Sequence, residues 1–358
     1  LRGDPEGNRD ESVLIINPGS TSTKIGIFRT SGESWETTLE HGQESLDRFE
    51  NVLDQLTWRE NEILRAFEDQ GVEADRVAAI SARAGLLKPV PGGTYAVTDS
   101  MCADLERGTY GEHASNLGPL LARRLSSRFG APSFVVDPVT TDEFDPASRL
   151  SGLPGVERKS RIHALNIKAT ARRAANRLDR ALEDAKLVVA HMGGGISVCA
   201  LRNGRIVDST DALLGEGPFS GERAGTLPLA GLVALCFDQG RKRGEVTRLL
   251  SASSGLKGYL GTGRLPEVYE RIDGGDAEAR LVLDALVLQI AKWIGAMTAV
   301  LQGRPDAIVL TGGMALSERF VSEITSYVAA LAPVQVIPGS LEMEALAEGA
   351  FRVLKGEE

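Results

Sequence analysis

The stretch that decides the fold is VLII (13–16), running into NPGSTSTK (17–24) and out through IGIF (25–28). An apolar run, a polar turn and a second run with alternating apolar residues read as two strands of a β-hairpin. The pattern returns as LVVA (187–190), HMGGG (191–195) and ISVCAL (196–201), an offset of 173 residues from Leu14 to Leu187 in a chain of 358. Self-similarity at half the chain length predicts a duplicated domain in which each half opens with a hairpin. A third apolar run, AIVL (307–310), ends in Thr311-Gly312-Gly313 and leads into an expected helix over 314–331.

Working outward, helical periodicity covers 46–67, 113–128, 163–182, 278–301 and 343–354, and short strands fit 77–80, 133–136 and 334–337. Strands alternating with helices point to α/β layers with a cleft between two similar halves. The expected domains are residues 12–160 and 161–342, with a C-terminal helix over 343–355 packing back on the first.

Composition narrows the function. Forty Lys and Arg against 49 Asp and Glu leave a net charge of −9, which argues against a nucleic-acid partner. Cys102, Cys199 and Cys236 lie far apart with no CxxC pair, and His41, His113, His163 and His191 are equally scattered. That excludes a disulfide framework and a His- or Cys-rich metal motif, and it fits a reducing compartment. The stretch 281–301 is long enough to span a bilayer but carries Asp284, Gln289 and Lys292, so it is expected to be a core helix and no membrane partner is expected. The opening, Leu1 to Glu11, has neither a basic region nor an apolar core of a signal peptide and reads as a frayed tail. The expected location is the cytoplasm.

Three glycine-bearing turns carry the functional signal. In 17–24 glycine lets backbone N–H groups approach an anion, hydroxyls donate, and Lys24 adds charge. The second glycine and Lys-Ser/Thr pair of a Walker A loop are absent, and taken alone the segment is better explained by a polar hairpin turn. His191 to Gly195 offers a second backbone to phosphates, and Thr311 to Gly313 a third to a base or ribose. Three such turns, each closing an apolar strand in duplicated halves, are better explained by one bound nucleotide than by three separate turns.

These stretches, with GLLKPVPGGTYAV, EHASNLG, VVDPVTTDEF, HALN, DALLGEGPFSGERAGTLP, IVLTGGMA and MEALAEGAFRVL, resemble the acetokinase family of short-chain acyl kinases over about residues 13–355. GEGPFS…ER is most similar to the butyrate-kinase branch. The resemblance implies a duplicated actin-like (ribonuclease H-like) fold with a nucleotide cleft between its domains. It implies an ATP:carboxylate phosphotransferase, with butanoate as the expected acid, ATP/ADP and Mg²⁺ as cofactors, and a homodimer or higher homo-oligomer. Acetate or propionate kinase on the same scaffold is the near alternative, and an actin- or chaperone-like nucleotide-gated binding protein the distant one. A chaperone ATPase would not need the Arg83, His163 and Arg223 set.

Residue by residue, the resemblance implies the following. Asn17 would help hold Mg²⁺, with Glu344 as the C-terminal metal carboxylate and Glu342 close enough to exchange with it. Gly19, Ser20, Thr21, Ser22 and Lys24 would form the first phosphate loop, His191, Gly193, Gly194 and Gly195 the second, and Gly312 and Gly313 would meet the nucleotide. Arg83 would be the substrate-side arginine and Arg223 the phosphoryl-binding one, with Arg158 ahead of the phosphoryl-contacting His163. His113 and Asp137 match further active-site positions. Where acetate kinases carry two valines after the arginine and a phenylalanine before the histidine, this chain has Ala84, Gly85 and Ile162. That loss of bulk is expected to open room for a longer acid, unless Gly85 serves the backbone. The second family histidine is Ile167 here.

Two arginines suit the chemistry, because a carboxylate attacking a phosphoryl group brings two anions together.

Overall fold

The computed structural model describes residues 10–358, in two compact units: residues 10–140 with 341–358, and residues 141–340. The first is built on a six-stranded sheet of β1 (Ser12–Pro18), β2 (Ser22–Arg29), β3 (Ser34–Glu40), β4 (Val77–Ala82), β5 (Thr94–Ala96) and β6 (Ser133–Val136). Their order is β3-β2-β1-β4-β6-β5. β1, β2 and β3 form an antiparallel meander, β4 and β6 add in parallel, and β5 closes the edge antiparallel. β1 is buried along its whole length, as expected of a strand covered on both faces, whereas the edge strand β3 is only half-buried on alternate residues.

The second unit holds β7 (Leu187–Met192), β8 (Ile196–Arg202), β9 (Arg205–Ser209), β10 (Ala307–Gly312) and β11 (Val334–Pro338), in the order β11-β10-β7-β8-β9. Again three strands form an antiparallel meander and two more add in parallel. The duplication read from two hairpins therefore extends over five strands of each sheet.

Helices cover these sheets. Leu117–Phe129 and Glu342–Leu354 both pack against β1, β4 and β6. Gly349 lets the latter approach closely, since a Cβ there would lie 2.5 Å from Val136 Cγ2. Ala277–Val300 packs on β7, β8 and β9, with Leu283, Leu286, Ile290 and Ile294 fully buried in the second core. It is long and apolar enough to cross a membrane, but that buried stripe makes it a core helix.

Several boundaries differ from the sequence reading. The helix expected over 46–67 starts only at Leu56, because extended Asn51 and Asp54 cap a separate 3₁₀ turn at Val52–Gln55. The helix expected over 163–182 ends at Asn176, followed by Asp179 with φ +53°. Ser317 accepts from Phe320 N and starts Glu318–Val328 afresh, which divides the helix expected over 314–331. The units divide at Thr140 rather than near residue 160, since Asp145 N donates to Val207 O and Glu143 pairs with Lys168 inside the second unit. The tail reading lies outside the described residues except for Asp10 and Glu11. Both are tied down, Asp10 accepting from Ser31 N at 2.9 Å and Glu11 N donating to Thr30 Oγ1 at 3.2 Å.

The buried Lys168–Glu143 pair gives a stability test. Lys168 Nζ lies 2.9 and 2.8 Å from the two carboxylate oxygens and donates to Gly204 O at 2.6 Å, while Ile206 N donates to Glu143. Removing one member strands the other charge, so Lys168→Met should cost about 3–5 kcal/mol in urea unfolding. Lys168→Met with Glu143→Leu should recover part of it. A loss below about 1 kcal/mol in the single variant would mean the pair does not hold this region.

Candidate active site

In the first unit the phosphate-loop candidate is a tighter turn than expected. Asn17 pairs with Lys24 and Pro18 with Thr23 across β1 and β2, so only Gly19, Ser20 and Thr21 lie outside the strands. Gly19 N donates to Ser22 O at 2.8 Å to close it. Ser20, Thr21 and Lys24 are exposed and Thr23 is fully buried. Strand alternation thus sends Lys24 out and Thr23 in.

Asn17, at the end of β1, meets Arg83, just past the end of β4, through a carboxylate from the last helix. That carboxylate is Glu342: its Oε2 accepts from Asn17 Nδ2 at 2.9 Å and from Arg83 Nη1 at 3.1 Å. Glu344, chosen from the sequence, lies two helical positions on, roughly 200° around the axis. It faces β3 instead, where burial and then the Glu344 carboxylate raise the Glu36 carboxyl above its ordinary range, against a lowering by Lys24. The sequence left the two glutamates interchangeable because neither spacing nor composition separates them.

Gly85 does not open a pocket. A Cβ there would lie 2.6 Å from Asn116 N and 2.7 Å from its Cα, so the missing side chain lets the chain pass against that turn. Leu86 N donates to Asn116 Oδ1 at 3.0 Å, and Asn116 Nδ2 donates to Gly111 O at 2.9 Å. The expected room is therefore filled by Asn116, a residue the sequence reading passed over. His113 caps the same turn, with Nδ1 accepting from Ser115 N at 3.2 Å, and it lines a cavity of about 150 Å³ with Val52, Leu53 and Leu105. Asp137, buried with φ +38°, accepts from Gly93 N at 2.8 Å and donates its own N–H to Gly93 O at 2.9 Å. It pins the turn before β5.

The second unit assembles a denser cluster. His163 begins the helix Ala164–Asn176 and stacks on His191 at the end of β7, ring centroids 4.1 Å apart and planes 16° apart. Ser197 Oγ accepts from His163 N at 3.4 Å and lies 2.9 Å from His163 Nδ1. Asn166 Nδ2 donates to His191 Nδ1 at 2.8 Å and to Thr311 Oγ1 at 3.3 Å, which leaves the His191 ring proton on Nε2. Asn166, one turn from His163, is the N of HALN; the i, i+3 spacing on one helix face was its sequence signal.

Gly193, Gly194 and Gly195 form the β7–β8 turn. The first two have open or ordinary surroundings, whereas Gly195 lies directly against the Arg223 guanidinium, which leaves no room for a Cβ. Arg223 donates to Ala212 O, and Ser220 Oγ donates to Gly194 O at 2.6 Å, so GEGPFSGER is stitched onto this turn. Burial lowers the Arg223 guanidinium below its ordinary range. Gly312, with φ +91° and Met192 N 2.7 Å from where a Cβ would sit, is a position only glycine fits; Gly313 is open. Ile162 is buried. Arg158 pairs with Asp208 at 2.9 Å and with Glu216, donates to Ser148 O and Ser209 O, and lies over the Phe144 ring at 5.5 Å. These contacts give it a structural task.

Residues 155–334, just over half of the chain, match the acetokinase family. The match covers His163, His191, the Gly193–Gly195 turn, Arg223 and Gly312. The chain belongs to the acetokinase family, and with that it is an ATP-using carboxylate phosphotransferase. Among solved structures it is similar to the acetate kinase of Porphyromonas gingivalis at 19% identity, covering 96% of this chain and 100% of that one, with a TM-score of 0.79. A propionate kinase from Francisella tularensis subsp. tularensis SCHU S4 matches at 18% identity over 95% and 98%, with a TM-score of 0.74. The acetate kinase of Entamoeba histolytica matches at 16% identity over 96% and 99%, with a TM-score of 0.76. At these identities the likeness shows the shared two-domain actin-like fold.

The Gly85 geometry makes a direct forecast. Gly85→Val would drive a side chain into Asn116 backbone, so it should lose about 1–3 kcal/mol in urea unfolding and lose turnover on short and long acids alike. A stably folded Gly85→Val that loses only the longer acids would restore Gly85 to the acyl pocket.

Proposed function

We propose that this chain transfers the γ-phosphoryl group of ATP, with Mg²⁺, to butanoate or a branched short-chain acid, giving the acyl phosphate and ADP reversibly. The observation that most supports a phosphoryl site is the stacked His163–His191 pair beside the Gly193–Gly195 turn, with Arg223 against Gly195. A carboxylate oxygen of the acid bonds to the γ-phosphorus while the bond to the β–γ bridging oxygen breaks, and ADP leaves with that electron pair. The acid is already ionised near pH 7, so no general base is needed. Neutralising developing charge is the main task. His163 donates a ring N–H, and Arg223 its guanidinium, to phosphoryl oxygens. Arg83 serves the acid.

Asn17 and Glu342 fit an Mg²⁺ that arrives with the nucleotide. They offer oxygen donors, and among the described residues no group of three or more His, Cys, Asp or Glu side chains could hold an ion alone. Mg²⁺ commonly keeps its waters and takes one carboxylate plus phosphates, and it supplies charge neutralisation there. A homo-oligomer belongs to the same reading. The apolar helix Leu229–Phe237 buries none of its residues, and Leu229, Val233 and Phe237 are 78%, 56% and 79% exposed at i, i+4, i+8 spacing.

Acetate or propionate as the acid is a second reading, favoured by the loss of the Gly85 pocket. Acyl hydroxamate formation with ATP and Mg²⁺ on C2 to C5 acids separates the two. Butanoate or a branched acid should show the highest kcat/KM, by about fifteenfold over acetate for two methylenes buried at about 0.8 kcal/mol each. Acetate ranking first would give the second reading, and no acid-dependent ADP release would remove both.

The metal assignment has its own test. Glu342→Gln should raise the Mg²⁺ concentration for half-maximal rate by about tenfold, and Glu344→Gln should leave it within about twofold. The opposite pattern would return the metal to Glu344.

A further inference from the structure

Beneath the first turn lies an arginine that the phosphate-loop reading does not use. Arg59, on the helix Leu56–Asp69, is 1% exposed. Its Nη1 donates to Gly19 O at 2.8 Å, Ser22 O at 3.2 Å and Thr23 Oγ1 at 3.0 Å, and its Nη2 to Ser20 O at 3.2 Å. Gln55 Oε1 accepts from Nε at 3.0 Å and Nη2 at 2.7 Å, which fixes the plane of the guanidinium. No carboxylate lies within ion-pair distance of Arg59 among the described residues. Burial pushes its pKa down to about 10, so it stays charged at neutral pH.

The one remaining turn carbonyl is held too, since His41 N donates to Thr21 O at 2.8 Å. His41 Nε2 also lies 2.9 Å from Thr23 Oγ1. Burial and then the Arg59 charge push His41 down to about 4, so it adds no second cation. Three turn carbonyls, those of Gly19, Ser20 and Ser22, thus point at Arg59, and that of Thr21 points at His41 N. In a trans peptide the N–H opposes the C=O. The N–H groups of Ser20 and Thr21 are therefore turned away from Arg59, and both residues are exposed. Such a run of outward N–H groups is an anion cradle. A buried cation without a carboxylate is costly by itself, and an anion on the turn would complete its compensation.

We propose that Arg59 is a positioning residue for nucleotide phosphate: it aims the Ser20 and Thr21 amides outward and sets a desolvated positive charge behind them. The inference rests on the reading that this turn takes the nucleotide. Lysine keeps the charge but cannot fork to four acceptors. Arg59→Lys should therefore raise the KM for ATP by about tenfold or more while leaving the KM for the acid within about twofold, a split that general loosening of the fold would not produce. Calorimetric titration with ATP and Mg²⁺ in the absence of acid should show the same loss. Thr23→Val is isosteric and keeps the strand, yet removes a partner from both Arg59 and His41, so it should raise the ATP KM by about threefold and leave the KM for the acid within about twofold, with a lowered but cooperative melt. If Arg59→Lys does not melt cooperatively, Thr23→Val decides alone. An ATP KM within about twofold of wild type in either folded variant, or equal rises for ATP and acid, would overturn the proposal. Wild-type protein that binds no ATP would instead overturn the reading beneath it.

Discussion

Arg83 and Glu342 stand 259 positions apart in the chain and 3.1 Å apart in space, with Asn17 2.9 Å from the same carboxylate oxygen. The charge arrangement of the candidate site in the first unit depends on that meeting. β1 and β4 run side by side in parallel, so the residues leaving their ends, Asn17 and Arg83, emerge at one edge. The last helix must return to that edge for its first turn to supply the carboxylate. The ion pair does not bring it there: its side chains are 28% and 18% exposed, and such pairs contribute about 0–1 kcal/mol. Burial of Met343, Leu346 and Ala350 against the sheet outweighs it, at about 25 cal/mol per Å². Packing holds the helix, and the ion pair sets where the charge sits.

The second unit repeats the topology with different chemistry at the strand ends. At the end of β7 stands His191 where β1 has Asn17, and its turn carries three glycines where the first carries hydroxyls. At Gly195 the difference follows from what packs on the turn, while Gly193 and Gly194 have room for a Cβ. Arg223 lies against Gly195 and leaves no room for a side chain, whereas the first turn is held from below through its carbonyls, which leaves its side chains free to be polar. The two imidazoles stack at 4.1 Å, with Ser197 Oγ beside His163 Nδ1 and Asn166 donating to His191 Nδ1.

Much of this was legible in the sequence. The paired hairpins at a 173-residue offset gave the duplication because strand, turn and strand are local signals, each written within about a dozen residues. The glycine turns and the Arg83, His163 and Arg223 set lie in motifs of the same length. What was not legible depends on residues distant in sequence. Glu342 and Glu344 differ only in which faces Asn17, and that is settled by the helix starting at Glu342. Gly85 read as space because its neighbour across the turn, Asn116, is thirty residues on. Arg59 sits in an amphipathic helix whose pattern marks an arginine as a solvent-facing residue, and only the hairpin folded over it makes it buried.

The central claim is that phosphoryl passes from ATP to a carboxylate. ³¹P NMR of the wild-type protein with ATP, Mg²⁺ and butanoate tests it most directly, because each phosphorus species has its own resonance. The γ-phosphate signal should fall in step with a new acyl phosphate signal and with ADP, and both should stop when the acid is left out. A γ-phosphate signal that becomes inorganic phosphate from the first time point, at the same rate with and without acid, would show hydrolysis in place of transfer and contradict the account.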